Sequence, residues 1–119
     1  MLRIATIGTS MITDDFIQVV NANDQAAFVG TLSRDADRGA AFTTEHGGER
    51  NFTALDELAS ADDVDAVYIG SPNALHYEQA LACIAGGKHV IVEKPFCATE
   101  AQALEVFRAA EAAGVVALE

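Results

Sequence analysis

Short apolar runs rich in β-branched residues alternate along the chain with longer stretches whose apolar positions recur at helical spacing. "RIATI" (3–7) has the length and composition of a strand. Ile12, Phe16, Val19 and Val20 then stand at i, i+4, i+7 and i+8, which predicts one face of a helix. "AAFVGTL" (26–32) predicts the second strand, and "DADRGAAFTTEHG" (35–47) a helix closed by Gly47 and Gly48. "RNF" (50–52) is a short third strand. Thr53, three residues ahead of Asp56, predicts a loose capping box opening a brief helix through Leu58.

"DAVYIG" (65–70) predicts the fourth strand. Ser71 and Pro72 have the chemistry of an N-cap and first-turn pair for the helix that carries Tyr77, Leu81 and Ile84. Gly86 and Gly87 end that helix, and "KHVIV" (88–92) is the fifth strand. Thr99 and Gln102 form a capping box, after which Ala103, Val106, Phe107 and Ala110 share a helical face. Gly114 stops this helix, and "VVAL" (115–118) begins a sixth strand. No long linker, repeat or low-complexity tract interrupts the alternation. Strands alternating with helices at this spacing predict right-handed βαβ units in an α/β, doubly wound parallel sheet, one domain over residues 1–119. Ligands of such sheets bind beyond the carboxyl ends of the strands, which directs attention to the chain after Ile7, Leu32, Gly70 and Val92.

Composition narrows the partners. Half the residues are hydrophobic, enough for a packed interior. Eighteen acidic against seven basic residues give a formal charge of −11. That balance argues against nucleic acid or an anionic membrane as partner, and any anionic ligand must be held by local geometry against the overall field. No apolar run reaches the length of a membrane span, and the N-terminus has no signal-peptide pattern. Cys83 and Cys97 have neither metal-ligand spacing nor the look of a disulfide framework. A reducing, cytoplasmic setting and no metal are the expectations.

The strand ends carry the candidate chemistry. "GTSMIT" (8–13) follows the first strand where a dinucleotide-binding turn would show G-x-G-x-x-G. Only Gly8 matches; Ser10 and Thr13 take the other glycine places, small and bearing hydroxyls, with Thr9, Met11 and Ile12 filling the turn. An ordinary strand–helix turn reads the same residues as well, and position favours the nucleotide turn. "SRDADR" follows the second strand, near the distance at which cofactor type is decided. An acid there would favour the ribose diol of NAD. Ser33, Arg34 and Arg38 instead suit a 2′-phosphate, so NADP is favoured with NAD as second choice. The competing reading is a solvated helix start in which the arginines pair with Asp35 and Asp37. At the fourth strand end, Ser71, Pro72 and Asn73 form a rigid turn able to line the nicotinamide end, with His76 a further cofactor-side contact. At the fifth, "HVIVEKPFCATE" (89–100) sets Glu93, Lys94 and Pro95 side by side. Successive strand residues point to opposite faces, so Glu93 and Lys94 cannot both enter the crevice alike. A half-buried lysine beside a nicotinamide could exchange a proton with a carbonyl or alcohol oxygen; a Glu–Lys surface pair is the plain alternative.

Together these residues resemble the N-terminal domain of the Gfo/Idh/MocA oxidoreductases, the family of glucose–fructose oxidoreductase and inositol dehydrogenase. The likeness covers nearly the whole chain. Its most specific part is "SPNALHYEQALACIAGGKHVIVEKP" (71–95), and "IGTSMITDDF" resembles a branch of the family in which the second and third glycines are replaced. The resemblance implies a Rossmann fold and a catalytic-site lysine at Lys94. It also implies a cofactor pocket shaped by Glu93 and Pro95, a cis Lys94–Pro95 bond, and an NADP-preferring pattern at Ser33, Arg34 and Arg38. Family members continue into an α/β substrate domain, so the expectation is an isolated cofactor domain, truncated or engineered, binding cofactor with little or no turnover. A sugar or polyol substrate belongs to a full-length parent. A non-catalytic nucleotide-binding or scaffold module is the alternative, and surface exposed by truncation could drive self-association.

Overall fold

The computed structural model describes residues 1–119. The strands are β1 (Leu2–Ile7), β2 (Ala26–Leu32), β3 (Arg50–Phe52), β4 (Ala66–Ile69), β5 (His89–Val92) and β6 (Ala117–Leu118). The helices are α1 (Met11–Asn21), α2 (Ala36–Glu45), α3 (Leu55–Ser60), α4 (His76–Ala85) and α5 (Glu100–Ala113). All pairings are parallel, in the order β3-β2-β1-β4-β5-β6. Helices α1 and α2 pack on one face of the sheet and α3, α4 and α5 on the other, the arrangement that right-handed crossovers produce. The expected doubly wound Rossmann-type fold is therefore present. The order in which strands are added across the sheet reverses between β1 and β4, and the tips of these two parallel strands stand side by side, with Ile7 opposite Ile69.

Strand alternation divides the interior in two. Ala5, Ile7, Val67, Ile69, Val90 and Val92 face the larger core, where Leu58, Ile84, Val106 and Ala110 cover them. Ile4, Phe28 and Ala66 face the smaller core with Ile17 and Val20. The buried stripe of α1 differs from the expected one. Thr13, Ile17 and Val20 turn inward while Ile12 and Val19 are 47% and 69% exposed. The cause is Thr13, whose hydroxyl lies 3.2 Å from that of Ser10 and against Gly70, in space where a Cβ on Gly70 would sit 2.5 Å from Thr13 Oγ1. A polar residue thus occupies the inward position and rotates the helix away from the purely apolar reading.

Two helix starts also differ. Ser71 is not an N-cap; a 3-10 turn, Asn73–Leu75, precedes α4, and the Ser71 hydroxyl donates to Gln79 Oε1 at 2.5 Å. At α3 the reciprocal acid is Glu57, one residue beyond Asp56, whose Oε2 accepts from Thr53 N at 3.0 Å. The expected Thr99 cap is present, accepting from Gln102 N at 3.2 Å, while Gln102 Oε1 accepts from Ala98 N at 3.1 Å. Phe107, predicted on the inner face of α5, is 45% exposed and stacks on Phe96 with ring centroids 4.7 Å apart.

The end of α2 is tied to α1 by His46, which meets the Phe42 carbonyl at 2.8 Å through Nδ1 and Asp14 Oδ1 through Nε2. Burial, the strongest single influence, lowers the His46 pKa. The Phe42 carbonyl, the Asp14 hydrogen bond and the charges of Asp14 and Glu45 together outweigh it, and the net shift is upward. Asp14 is held below its ordinary value by His46 and then Gln18. A raised histidine pKa contributes stability that is complete below about pH 6.5 and lost as pH climbs through the folded value. The lowered Asp14 pKa contributes above the ordinary carboxylate range and loses that contribution in acid. The melting temperature should therefore decline from about pH 6.5 up through the folded His46 pKa, and Asp14→Asn should flatten the decline. Equal slopes for the two proteins in thermal scans across that range would refute the coupling.

Candidate functional site

The tips of β1, β2, β3 and β4 surround a groove of about 860 Å³, within the size range of small-molecule sites. Gly8 forms its sharpest corner. Its φ is +105°, and a Cβ there would lie 2.7 Å from the Gly70 carbonyl oxygen, so only glycine lets the β1 and β4 tips close together. Gly8 N donates to Leu32 O at 2.9 Å, and Gly8 O accepts from Thr31 Oγ1 at 3.1 Å. The chain then enters α1, whose N-cap Ser10 makes no side-chain cap bond. The first-turn N–H groups of an 11-residue helix are left without a capping side chain at the groove wall, where they and the helix dipole favour an anion. Thr9 and Ser10 line the groove, and the buried Thr13 does not.

At the β2 tip, Ser33, Arg34 and Arg38 line the same groove. Asp35 is the N-cap of α2 and accepts from Arg38 N at 3.1 Å. No ion pair in the structure includes Arg34 or Arg38. The interleaved acid thus serves the helix start, and two guanidinium groups stand free in a chain of net charge −11. Gly39 brings α2 close to this tip, since a Cβ there would meet Ser33 Cβ at 3.0 Å.

At the β4 tip, Ser71 and Pro72 line the groove, joined by Leu75 and Gln79. Asn73 is exposed and lies outside the lining. His76 departs from its expected place as a cofactor-side contact. It is 1% exposed, and its ring nitrogens meet the carbonyls of Pro95 and Ser71, each at 2.8 Å, so it clamps the β4 tip to the loop after β5.

In that loop Glu93 and Lys94 do diverge. Glu93 is half-buried and accepts from Tyr68 OH at 2.6 Å. Burial, then the hydrogen bond and charge of Glu93, raise the Tyr68 pKa far above its ordinary value, so the phenol is a fixed donor. Lys94 and Pro95 are exposed, the bond between them is cis, and neither lines the groove. The half-burial expected of Lys94 is absent because no element of this chain packs over it.

The family described as "Oxidoreductase family, NAD-binding Rossmann fold" (GFO_IDH_MocA) matches residues 2–119. The chain belongs to this Gfo/Idh/MocA family. It is 43% identical over 119 residues to scyllo-inositol 2-dehydrogenase (NADP(+)) IolU of Bacillus subtilis, covering 100% of this chain and 36% of the relative. It is 42% identical over 116 residues to 1,5-anhydro-D-fructose reductase of Ensifer adhaerens, covering 98% and 35%. Among solved structures, GenD2 from gentamicin A biosynthesis in complex with NAD superposes with a TM-score of 0.92 at 31% identity, covering 98% of this chain and 33% of GenD2. The chain thus spans about a third of the length of the curated relatives it matches.

As an NAD(P)-binding Rossmann domain of the Gfo/Idh/MocA family, the chain fits a dinucleotide in its own geometry: a glycine-closed crevice, an uncapped helix start and free guanidiniums on one wall. Of the sequence candidates, Gly8, Thr9, Ser10, Ser33, Arg34 and Arg38 come together there, with Ser71 and Pro72 opposite. Met11 and Ile12 are 83% and 47% exposed and lie outside it, as do Asn73, His76, Glu93, Lys94 and Pro95. Sequence reasoning passed over the β3 tip, where Thr53, Ala54 and Leu55 form a wall, and over Leu75 and Gln79. The carboxyl-end rule applied to the third strand would have found the first group. The four-residue spacing of Leu75 and Gln79, one helical row, was the signal for the second. No cluster of His, Cys, Asp and Glu is placed to hold a metal ion, and no helix is long and apolar enough to cross a membrane.

Proposed function

We propose that the chain is the cofactor-binding part of an NADP(H)-dependent oxidoreductase that interconverts CH–OH and C=O groups of sugars, polyols or related compounds. The supporting observation is the pair Arg34 and Arg38, lining the groove at the β2 tip with no carboxylate partner while Asp35 is occupied as a cap. A 2′-phosphate there gains charge-assisted, bidentate contacts that a ribose diol cannot use. The substrate class follows the names of the inositol dehydrogenase and anhydrofructose reductase relatives. The test is a comparison of NADPH and NADH binding. NADPH should bind more tightly, and Arg34→Ala should weaken NADPH by about tenfold, the value of a charge-assisted hydrogen bond at an exposed site, with NADH nearly unchanged. An unaltered NADPH/NADH ratio in the variant refutes the 2′-phosphate site. A second reading, a nucleotide-binding module without catalysis, is favoured by the exposure of Lys94 outside the groove.

A further inference from the structure

The groove contains a polar side chain with no place in the readings above. Gln79 is 9% exposed and lines the cavity from α4. The Ser71 hydroxyl donates to its Oε1 at 2.5 Å, which fixes the orientation of the amide. Nε2 makes no hydrogen bond within the protein and is not sealed from the groove. Gln79 Nε2 is thus an oriented donor, open to the groove and available to whatever acceptor enters the cavity. Leu55, Pro72 and Leu75 supply the neighbouring apolar surface. Apolar walls with one oriented N–H donor suit a planar heteroaromatic base, which has ring-nitrogen acceptors in its plane and little affinity for water on its faces. Gln79 shares the cavity with Arg34 and Arg38, whereas Lys94 does not line it. On this reading the amide stands at the adenosine end of a dinucleotide, and Ser71 and Pro72 stand with it instead of at the nicotinamide end expected from the sequence.

We propose that Gln79 Nε2 donates a hydrogen bond to an acceptor on the adenine ring, with Ser71 holding the amide in the donating orientation. This rests on reading the groove as a dinucleotide site. The base is common to both cofactors, so the effect of Gln79 is distinct from that of Arg34. In calorimetric titrations of the full chain with NADPH and with NADH, Gln79→Met, which keeps the length and removes the donor, should weaken both by about tenfold and leave their ratio unchanged. Gln79→Leu should do the same, and serves if the first variant folds poorly. The melting temperature of the ligand-free variants should stay near that of the wild type. Lowered melting with both affinities retained would make Gln79 a packing residue and overturn the proposal, as would wild-type affinities in both variants. Wild-type protein binding neither nucleotide would instead overturn the dinucleotide reading on which the proposal rests.

Discussion

Gly30→Ala is expected to lower stability by about 3 kcal/mol, at the top of the range for overpacking a close-packed interior. For a domain of this size that is roughly 10 °C in melting temperature. The register of β1 against β2 skips a residue: Ile4 faces Phe28 while Ala5 faces Gly30, a bulge at Val29. The bulge turns the Cα of Gly30 toward β3, where a Cβ would lie 1.7 Å from the Arg50 carbonyl oxygen and 2.6 Å from its carbon. Those are backbone atoms and cannot swing away as a side chain would. β3 must therefore shift as a unit, although it has three residues and the Arg50 side chain anchors it to Asp63 at 2.8 and 2.7 Å. Thr53, Ala54 and Leu55 follow β3 directly and wall the groove, so nucleotide affinity should fall along with stability. Gly47→Ala is the control, with a φ of +79° and nothing within 4 Å of the added carbon. It should cost only the left-handed backbone penalty, about 1 kcal/mol. Thermal melts placing Gly30→Ala level with Gly47→Ala would show that β3 yields freely.

Much of this arrangement was legible in the sequence, because β-branched runs and helical repeats report burial period by period. The six strands, five helices and parallel topology follow from that alternation, and the topology alone directs attention to the strand tips. Periodicity fails where a polar residue is buried for a reason outside its own element. Thr13 is inward because Ser10 and Gly70 receive it, and no spacing rule in α1 announces that. Ser71 reads as a cap and is instead claimed by Gln79, eight positions on. His76 reads as a site residue and is spent on two carbonyls from separate elements. Each miss comes from a polar contact that apolar spacing does not register: local and steric for Thr13, a longer-range hydrogen bond for Ser71 and His76.

Lys94→Ala is expected to reduce turnover by about 10²–10⁴-fold, the usual contribution of a positioned general acid or base, measured in a chain of the relatives' length that begins with this domain. The structure fixes the neighbours of Lys94 rather than the lysine itself. Glu93 is held by Tyr68, whose ring stacks on Phe16 with centroids 4.1 Å apart. The Pro95 carbonyl accepts from His76, and Phe96 is 7% exposed and stacked on Phe107. A flexible side chain on a loop pinned at both flanks is confined to a small volume near the β5 tip without being consumed by any ion pair. Under the proposed function a bound nicotinamide would supply or accept a hydride, and Lys94 Nζ would be the group placed to carry the accompanying proton. Lys94 does not line the groove, so the variant should keep its cofactor affinity within about twofold. Lys94→Arg should not restore turnover, because a guanidinium keeps its proton at any working pH. Rescue by arginine would mean that only positive charge is needed, and full activity of Lys94→Ala would leave the non-catalytic module as the better reading of this domain.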